Sequence, residues 1–407
     1  VPNLRFPEFQ GEWKESTIGE MFDLYSGNTP SRLNKEHFKG TVNWISSGEL
    51  KEHYIYSSKE QISEEAAKSL KLLPVGTFVI AIYGLEADGV RGTGSITQEP
   101  STISQACMSF IPKGVIENEF LYSWYKKHGN VIGIRYAQGT KQQNLSYDIL
   151  EKFRIAYPNT KEQEKLNKFI SLLDERIATQ NKIIEDLKKL KSAIIEKVFC
   201  SPNQKNPMCR IEGFEQALST YKMSDFSSRI ATKNKDSKCS LVLTIAAQYG
   251  LVNQESFFNK SVASKNLTGY YLLHKGEFAY NRSYSAGYDW GAVKRLDNYD
   301  EGVLSTLYIC FKINETIVDS DYLTYYFEST KWHRGLSDIA GEGARNHGLL
   351  NVSITDYFNT KHRFPVIEEQ KAIAKMLNTI TEKERKATLL GECYQKQKQY
   401  LLRQMFI

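Results

Sequence analysis

Apolar side chains recur every 3.5 residues along one stretch, residues 158 to 199. Leu166, Ile170, Leu173, Ile177, Gln180, Ile184, Leu187, Lys191, Ile194 and Val198 alternate steps of four and three. This spacing predicts a coiled-coil helix whose seam needs a partner. At 1.5 Å per residue, the run from Glu162 to Phe199 would be about 57 Å long. The pattern returns 207 residues later, where Pro365, Glu369, Gln370, Lys375 and Phe406 match Pro158, Glu162, Gln163, Lys168 and Phe199, and nine of 42 ungapped pairs are identical. The second seam, Ile373, Leu377, Ile380, Tyr394, Leu401 and Met405, is weaker, because Glu384, Gly391 and Lys398 occupy seam positions. Gly391 alone costs about 1 kcal/mol against Ala in a helix interior. Each helix therefore finds its candidate partner in the other copy.

Between the helices the repeat continues at shorter offsets, as two copies of one domain with diverged loops would show. The segment from Phe9 is matched from Phe214, and LLPVGTF, ending at Phe78, is matched by LLHKGEF, ending at Phe278. Gly76 and Gly276 read as turns feeding strands. Residues 78 to 84 and 278 to 284 read as those strands, the second interrupted by Asn281 and Arg282, and 106 to 111 and 307 to 313 read as further strands. Residues 119 to 125 and 321 to 327 have helical spacing. The expected class is α+β, with mixed α/β globular domains at 1–157 and 210–364, long helices at 158–200 and 365–407, and a Pro202/Pro207 linker at 201–209. If each domain's entry and exit lie close together, the helices form an antiparallel coiled coil and the two halves are related by a pseudo-two-fold axis.

Composition narrows the function classes. An apolar content of 41% over 407 residues permits two or three cores, and no apolar run reaches membrane-spanning length. The N-terminal residues lack a basic region followed by an apolar one, and the six cysteines show no CxxC or Cys/His cluster, so reduced thiols in a cytoplasmic protein are expected, without a zinc site. Of the net charge of +6, the helices hold five: nine Lys+Arg against seven Asp+Glu in 158–199, and eight against five in 365–407. Those charges read as solvated helix faces. There is no Walker A sequence and no Asn/Asp-Pro-Pro-aromatic tetrapeptide, so no catalytic or cofactor-binding residue is assigned.

Two variable domains, each followed by a helix that opens Pro-x-x-x-Glu-Gln and closes on a Leu/Phe-rich turn, resemble the specificity (S) subunit of a type I restriction-modification system. SGNTPSR at 26–32, WISSGEL at 44–50 and the LLPVG turn are similar to that family's target-recognition domain. No counterpart of SGNTPS is visible between 229 and 236. The resemblance implies a non-catalytic DNA-recognition subunit whose two domains each read one half of a bipartite target in double-stranded DNA. It also implies that the helices dock two methyltransferase subunits and that a translocating restriction subunit joins. S-adenosylmethionine, ATP and magnesium are then expected on the partners, and no cofactor on this chain. The competing reading is a non-enzymatic scaffold with two repeated protein-binding domains on a coiled-coil spacer.

Base edges and phosphates are met by Arg, Lys, Asn, Gln and aromatic side chains in loops beyond strand ends. In the first domain the candidates are Asn28, Thr29, Arg32, Tyr83, Arg91, Gln138, Thr140, Lys141, Gln142 and Gln143. In the second they are Asn281, Arg282, Tyr284, Tyr288, Trp290, Lys294 and Arg295, with Arg345 and Asn346 at the place of the Gln cluster. The aromatics of the second set could equally be core. Seam residues are expected to pack inward, leaving outer faces such as Glu175, Arg176 and Lys182 for partners.

Overall fold

The computed structural model describes all residues except 88, 140–142, 260–265, 284–286 and 341–349, together with the side chain of Asp236. The chain divides into two compact units, Val1–Asn181 with Leu389–Ile407, and Lys182–Thr388. Among the described residues no helix is long and apolar enough to cross a membrane.

In unit 1, β1 (Lys14–Thr17) pairs antiparallel with β10 (Arg154–Tyr157) beside the entry to the first long helix, Thr160–Val198. The main sheet holds β2 (Phe22–Ser26), β4 (Tyr54–Ile55), β6 (Phe78–Ala81), β7 (Gly94–Thr97) and β9 (Cys107–Pro112) in the order β2-β9-β6-β7-β4. A smaller sheet, β5-β3-β8, joins Glu60–Ile62, Val42–Ile45 and Ser101–Ile103. The strand expected at 78–84 ends earlier, because Ile82 turns its N–H to Ala106 and Gly84 takes a positive φ of 73°. Gly76, at φ 82°, makes the turn that feeds β6. The helix Asn118–Tyr136 covers this sheet with Phe120, Leu121, Tyr122, Trp124 and Tyr125, and Leu166, Ile170, Leu402, Met405 and Phe406 of the long helices join the same core.

In unit 2, β11 (Ser219–Lys222) pairs with β20 (Lys361–Phe364) just before the second long helix, Ile367–Met405. The sheet β12-β19-β16-β17, made of Ser227–Arg229, Ile309–Ile313, Phe278–Asn281 and Ala292–Arg295, has the strand order of β2-β9-β6-β7. Two further antiparallel pairs accompany it, β13 (Leu243–Ala246) with β14 (Gly250–Asn253), and β15 (Tyr271–His274) with β18 (Glu301–Leu304). The helix Ser320–Tyr326 packs with Ile195, Val198, Phe199, Ile373, Ala374 and Leu377 of the long helices.

The repeated Glu-Gln has a structural cause. At the start of the first long helix, Asn159 accepts from the Glu162 N–H, and the buried Glu162 carboxylate takes two bonds of 2.8 Å from Arg5. Gln163 donates to the carbonyls of Val115 and Pro158 and accepts from the Glu117 N–H. In unit 2, Arg210 binds Glu369, while Gln370 donates to Ile317 and Pro365 and accepts from Asp319. Each clamp ties strand exit, helix entry and the segment before β1 or β11 into one junction. The segment before β1 is anchored further by Leu4 N–H to Gln404 O, and the linker before β11 by Cys209 N–H to Lys197 O.

Every named seam position lies buried or half-buried: Leu166, Ile170, Leu173, Ile177, Ile184, Leu187, Ile194 and Val198 on one helix, and Ile373, Leu377, Ile380, Tyr394, Leu401 and Met405 on the other. The polar seam positions are paired within their units, Lys398 with Asp174 in unit 1 and Lys191 with Glu384 at 2.7 Å in unit 2. Arg176, expected to face partners, lies 4.4 Å over the Tyr394 ring.

Candidate nucleic-acid interface

Strand register decides which loops meet. In unit 1, Ser26 pairs with Met108 and Ala81 with Cys107, so β2 and β6 end where β9 begins. Gly27 N–H reaches Cys107 O, and Ile82 N–H reaches Ala106 O. The loops from Gly27 and from Tyr83 therefore leave one end of one sheet. Gly27 must be glycine here, since a Cβ would lie 2.0 Å from the Ile103 oxygen. Trp44 donates to Asn28 O, and the Asn28 side chain accepts from the Thr29 N–H, which shapes this turn.

A third loop is laced onto the second. Leu85 N–H binds Gln143 O, Gln143 N–H binds the Glu86 carboxylate, Leu145 N–H binds Ile82 O, and Arg91 donates to the Gln143 side chain at 2.8 Å. Gln138 and Asn144 exchange backbone bonds, and Tyr83 bridges to Asn144. Asn28, Thr29, Tyr83, Arg91, Gln138 and Gln143 thus gather at one sheet end. Thr140, Lys141 and Gln142 lie outside the described residues. Arg32 turns aside: it makes a two-pronged pair with Glu60 at 2.6 and 2.8 Å and lies 4.3 Å over Phe38. That pairing raises the Arg32 pKa and lowers that of Glu60.

In unit 2 the same register holds. Tyr280 pairs with Ile309, so β16 ends where β19 begins, and β12 ends at Arg229 opposite Phe311 with Ile230 N–H continuing to Cys310 O toward the same end. Asn281 and Arg282 emerge at this end. Arg282 donates to the carbonyls of Leu307 and Val352, pinning neighbouring segments. Gly291, at φ 74°, sits where a Cβ would meet the Asn281 oxygen at 2.1 Å. Tyr288 and Trp290 are half-buried against core clusters, and Trp290 O accepts from the buried Tyr280 hydroxyl. Lys294 and Arg295 are at the opposite end of the β16–β17 hairpin, where Arg295 faces Phe278. There Lys294 pairs with Glu328, and Arg295 binds Asp321 and Asp297 at 2.7 and 2.6 Å. Burial works against the Arg295 charge, but the two carboxylates outweigh it and raise its pKa. Tyr284, Arg345 and Asn346 lie outside the described residues.

Three features escaped sequence reading. Glu86 stands exposed in the unit 1 loop, its pKa lowered chiefly by the Gln143 N–H. Arg229 closes β12 and Lys233 follows it, and both meet Tyr271, Arg229 through its hydroxyl and Lys233 over its ring at 3.9 Å. An exposed aromatic group, Tyr249, Phe257 and Phe258, sits beyond β13 and β14. Only the last had a sequence signal, the Phe-Phe pair close after a turn. Among the described residues, no three His, Cys, Asp or Glu side chains come together as a metal site requires.

The profile of the type I restriction modification DNA specificity domain matches residues 10–189. Residues 10–189, a little under half of the chain, are thus similar to that family's domain. The chain is 28% identical over 194 residues to the type I restriction enzyme MjaIX specificity subunit of Methanocaldococcus jannaschii, covering 46% of this chain and 44% of that subunit. It is 32% identical over 189 residues to the EcoR124I/EcoR124II specificity subunit of Escherichia coli, covering 45% of each. The matches thus span less than half the length of these relatives. The fold is shared along the whole chain with the S subunit of a type I restriction-modification system from M. genitalium, at a TM-score of 0.57 and 16% identity over 100% of this chain and 99% of that one. A chain from a study of complex assembly and conformational transition in the type I system gives the same TM-score at 13% identity, over 97% of each chain.

Proposed function

We propose that this chain is the non-catalytic, sequence-reading subunit of a type I restriction-modification complex, acting in the cytoplasm. The observation that carries this reading is the shared register, in which each unit brings the ends of two strands and the start of a third together under polar loops. The similarity of residues 10–189 to that family's domain supports it. Each globular part, 1–157 and 210–364, reads one half of a bipartite DNA target, phosphate contacts fixing register and loop side chains reading base edges. In this reading the two long helices form the antiparallel coiled coil of a pseudo-two-fold repeat.

The helices also carry an outer apolar stripe, Leu172, Ile183 and Leu190 on the first and Leu389, Leu390 and Tyr400 on the second, all exposed. Exposed apolar side chains eleven and seven residues apart share one face of the first helix, and such a face suits docking helices of methyltransferase subunits better than water. S-adenosylmethionine, ATP and magnesium then belong to the methyltransferase and restriction subunits, and this chain selects the site. Genome-wide methylation mapping of cells making the chain with its methyltransferase partners tests the reading. One interrupted motif that disappears with the gene for this chain is expected; methylation that does not depend on the chain would exclude it.

A further inference from the structure

The loop after β6 and the loop that follows the helix Asn118–Tyr136 are bonded to each other, and the junction has an exposed carboxylate at its edge. Glu86 accepts the Gln143 N–H at 2.8 Å through Oε2. Gln143 is held in turn by its carbonyl to the Leu85 N–H and by its side chain to Arg91. Arg91 reaches it across the helix at Gly133, where a Cβ would lie 2.6 Å from the Arg91 side chain. Leu85, beside Glu86, is buried. The carboxylate is therefore fixed by backbone and core, and little ordering cost remains on binding.

We propose that Glu86 reads a cytosine amino group in the half-site bound by unit 1, with Arg91 and Gln143 as its positioning residues. This rests on the proposed DNA-reading role of that sheet end. A carboxylate facing a phosphate-rich ligand is repelled wherever it does not meet a donor, and when ionised it offers acceptors only. In the major groove the base-edge donors are the amino groups of cytosine and adenine. Adenine places its N7 acceptor beside that amino group, which would face the carboxylate with a second acceptor. Cytosine presents the donor alone.

The test uses the full chain, made with its methyltransferase partners in cells without other DNA methylation, carrying Glu86, E86Q or E86A. The wild-type motif should contain a C·G pair in one half that both variants cease to distinguish, with the other half unchanged. In binding assays with the assembled complex, preference for that pair should fall about 5- to 100-fold. E86Q keeps an amide oxygen for the Gln143 N–H, so the loops stay locked while the charge is gone. R91A should weaken methylation of the whole motif without changing the preferred base. A bipartite motif left untouched by E86A, or one with no C·G pair in either half, overturns the assignment and leaves the DNA-reading role standing. An E86Q chain that no longer assembles assigns Glu86 to the fold and overturns it too. A wild-type chain that directs no bipartite methylation overturns both.

Discussion

Arg5 and Glu162 form the charged pair at the entry to the first long helix. The Glu162 carboxylate is buried, and its charge is met by the Arg5 guanidinium and the Trp13 N–H. Removing one partner of such a pair leaves an uncompensated buried charge, so Arg5→Ala should lower the unfolding free energy by about 3–5 kcal/mol in urea titrations. Combining it with Glu162→Leu should restore much of that; a double variant no better than the single would exclude charge as the cause. His53 makes a second junction, stacked between Tyr54 and Tyr122 at 4.0 and 3.9 Å, with Glu119 at 2.8 Å and Asp174 at 3.3 Å. Burial works against its charge, yet Asp174 and Glu119 outweigh it and raise its pKa. Its contribution is complete below its unfolded value of about 6.5 and is lost as pH rises through the folded value. His362 runs the other way: burial pushes it down to about 3, so its contribution is present above the unfolded value and lost as pH falls. His53→Gln should therefore cost stability near about pH 6 and little near about pH 9. Thermal unfolding across that range checks the sign, and an equal loss at both ends would mean that His53 acts by packing alone.

At the scale of elements, periodicity was readable and partnership was not. The heptads of 158–199 placed a helix where one lies, Thr160–Val198, and its named seam residues are buried or half-buried. The turns at Gly76 and Gly276 were legible because only a residue without a Cβ takes their positive φ easily. Spacing could not say which carbonyl Gln163 would reach, because its acceptors at Val115 and Pro158 lie on separate segments. Nor could it tell Asn281 from Arg295, fourteen residues apart on one hairpin, since only register puts one at the loop end and the other against Asp321. The same limit applies to Arg32, whose composition suits DNA and whose position gives it to Glu60. In the proposed reading, the outer stripe is the element whose partner lies on another subunit. Ile183→Asp with Leu190→Asp should leave the unfolding free energy within about 0.5 kcal/mol, as surface changes usually do, and abolish co-purification with the methyltransferase subunits. Assembly that survives both substitutions would remove this face as the docking surface.

For the whole molecule, the repeated clamps, together with the proposed function, imply exchangeable readers. The globular part of unit 2 is enclosed between Arg210 and Glu369 as that of unit 1 is between Arg5 and Glu162, and each builds its own core beneath its own sheet. Replacing residues 211 to 350 with the equivalent segment of a relative that reads a different sequence leaves both Arg–Glu pairs and both long helices in place. Base readout depends on loop side chains, and independent sites far apart combine nearly additively. The exchanged chain should therefore keep one half of the wild-type motif and acquire the donor's sequence in the other, as methylation mapping would show directly. The half that persists should also be the half altered by E86A, because Glu86 belongs to the unit left intact. If an assembled, folded chimera lost both halves, the readers would be coupled through more than their clamps, and a modular account of this chain would have to be abandoned.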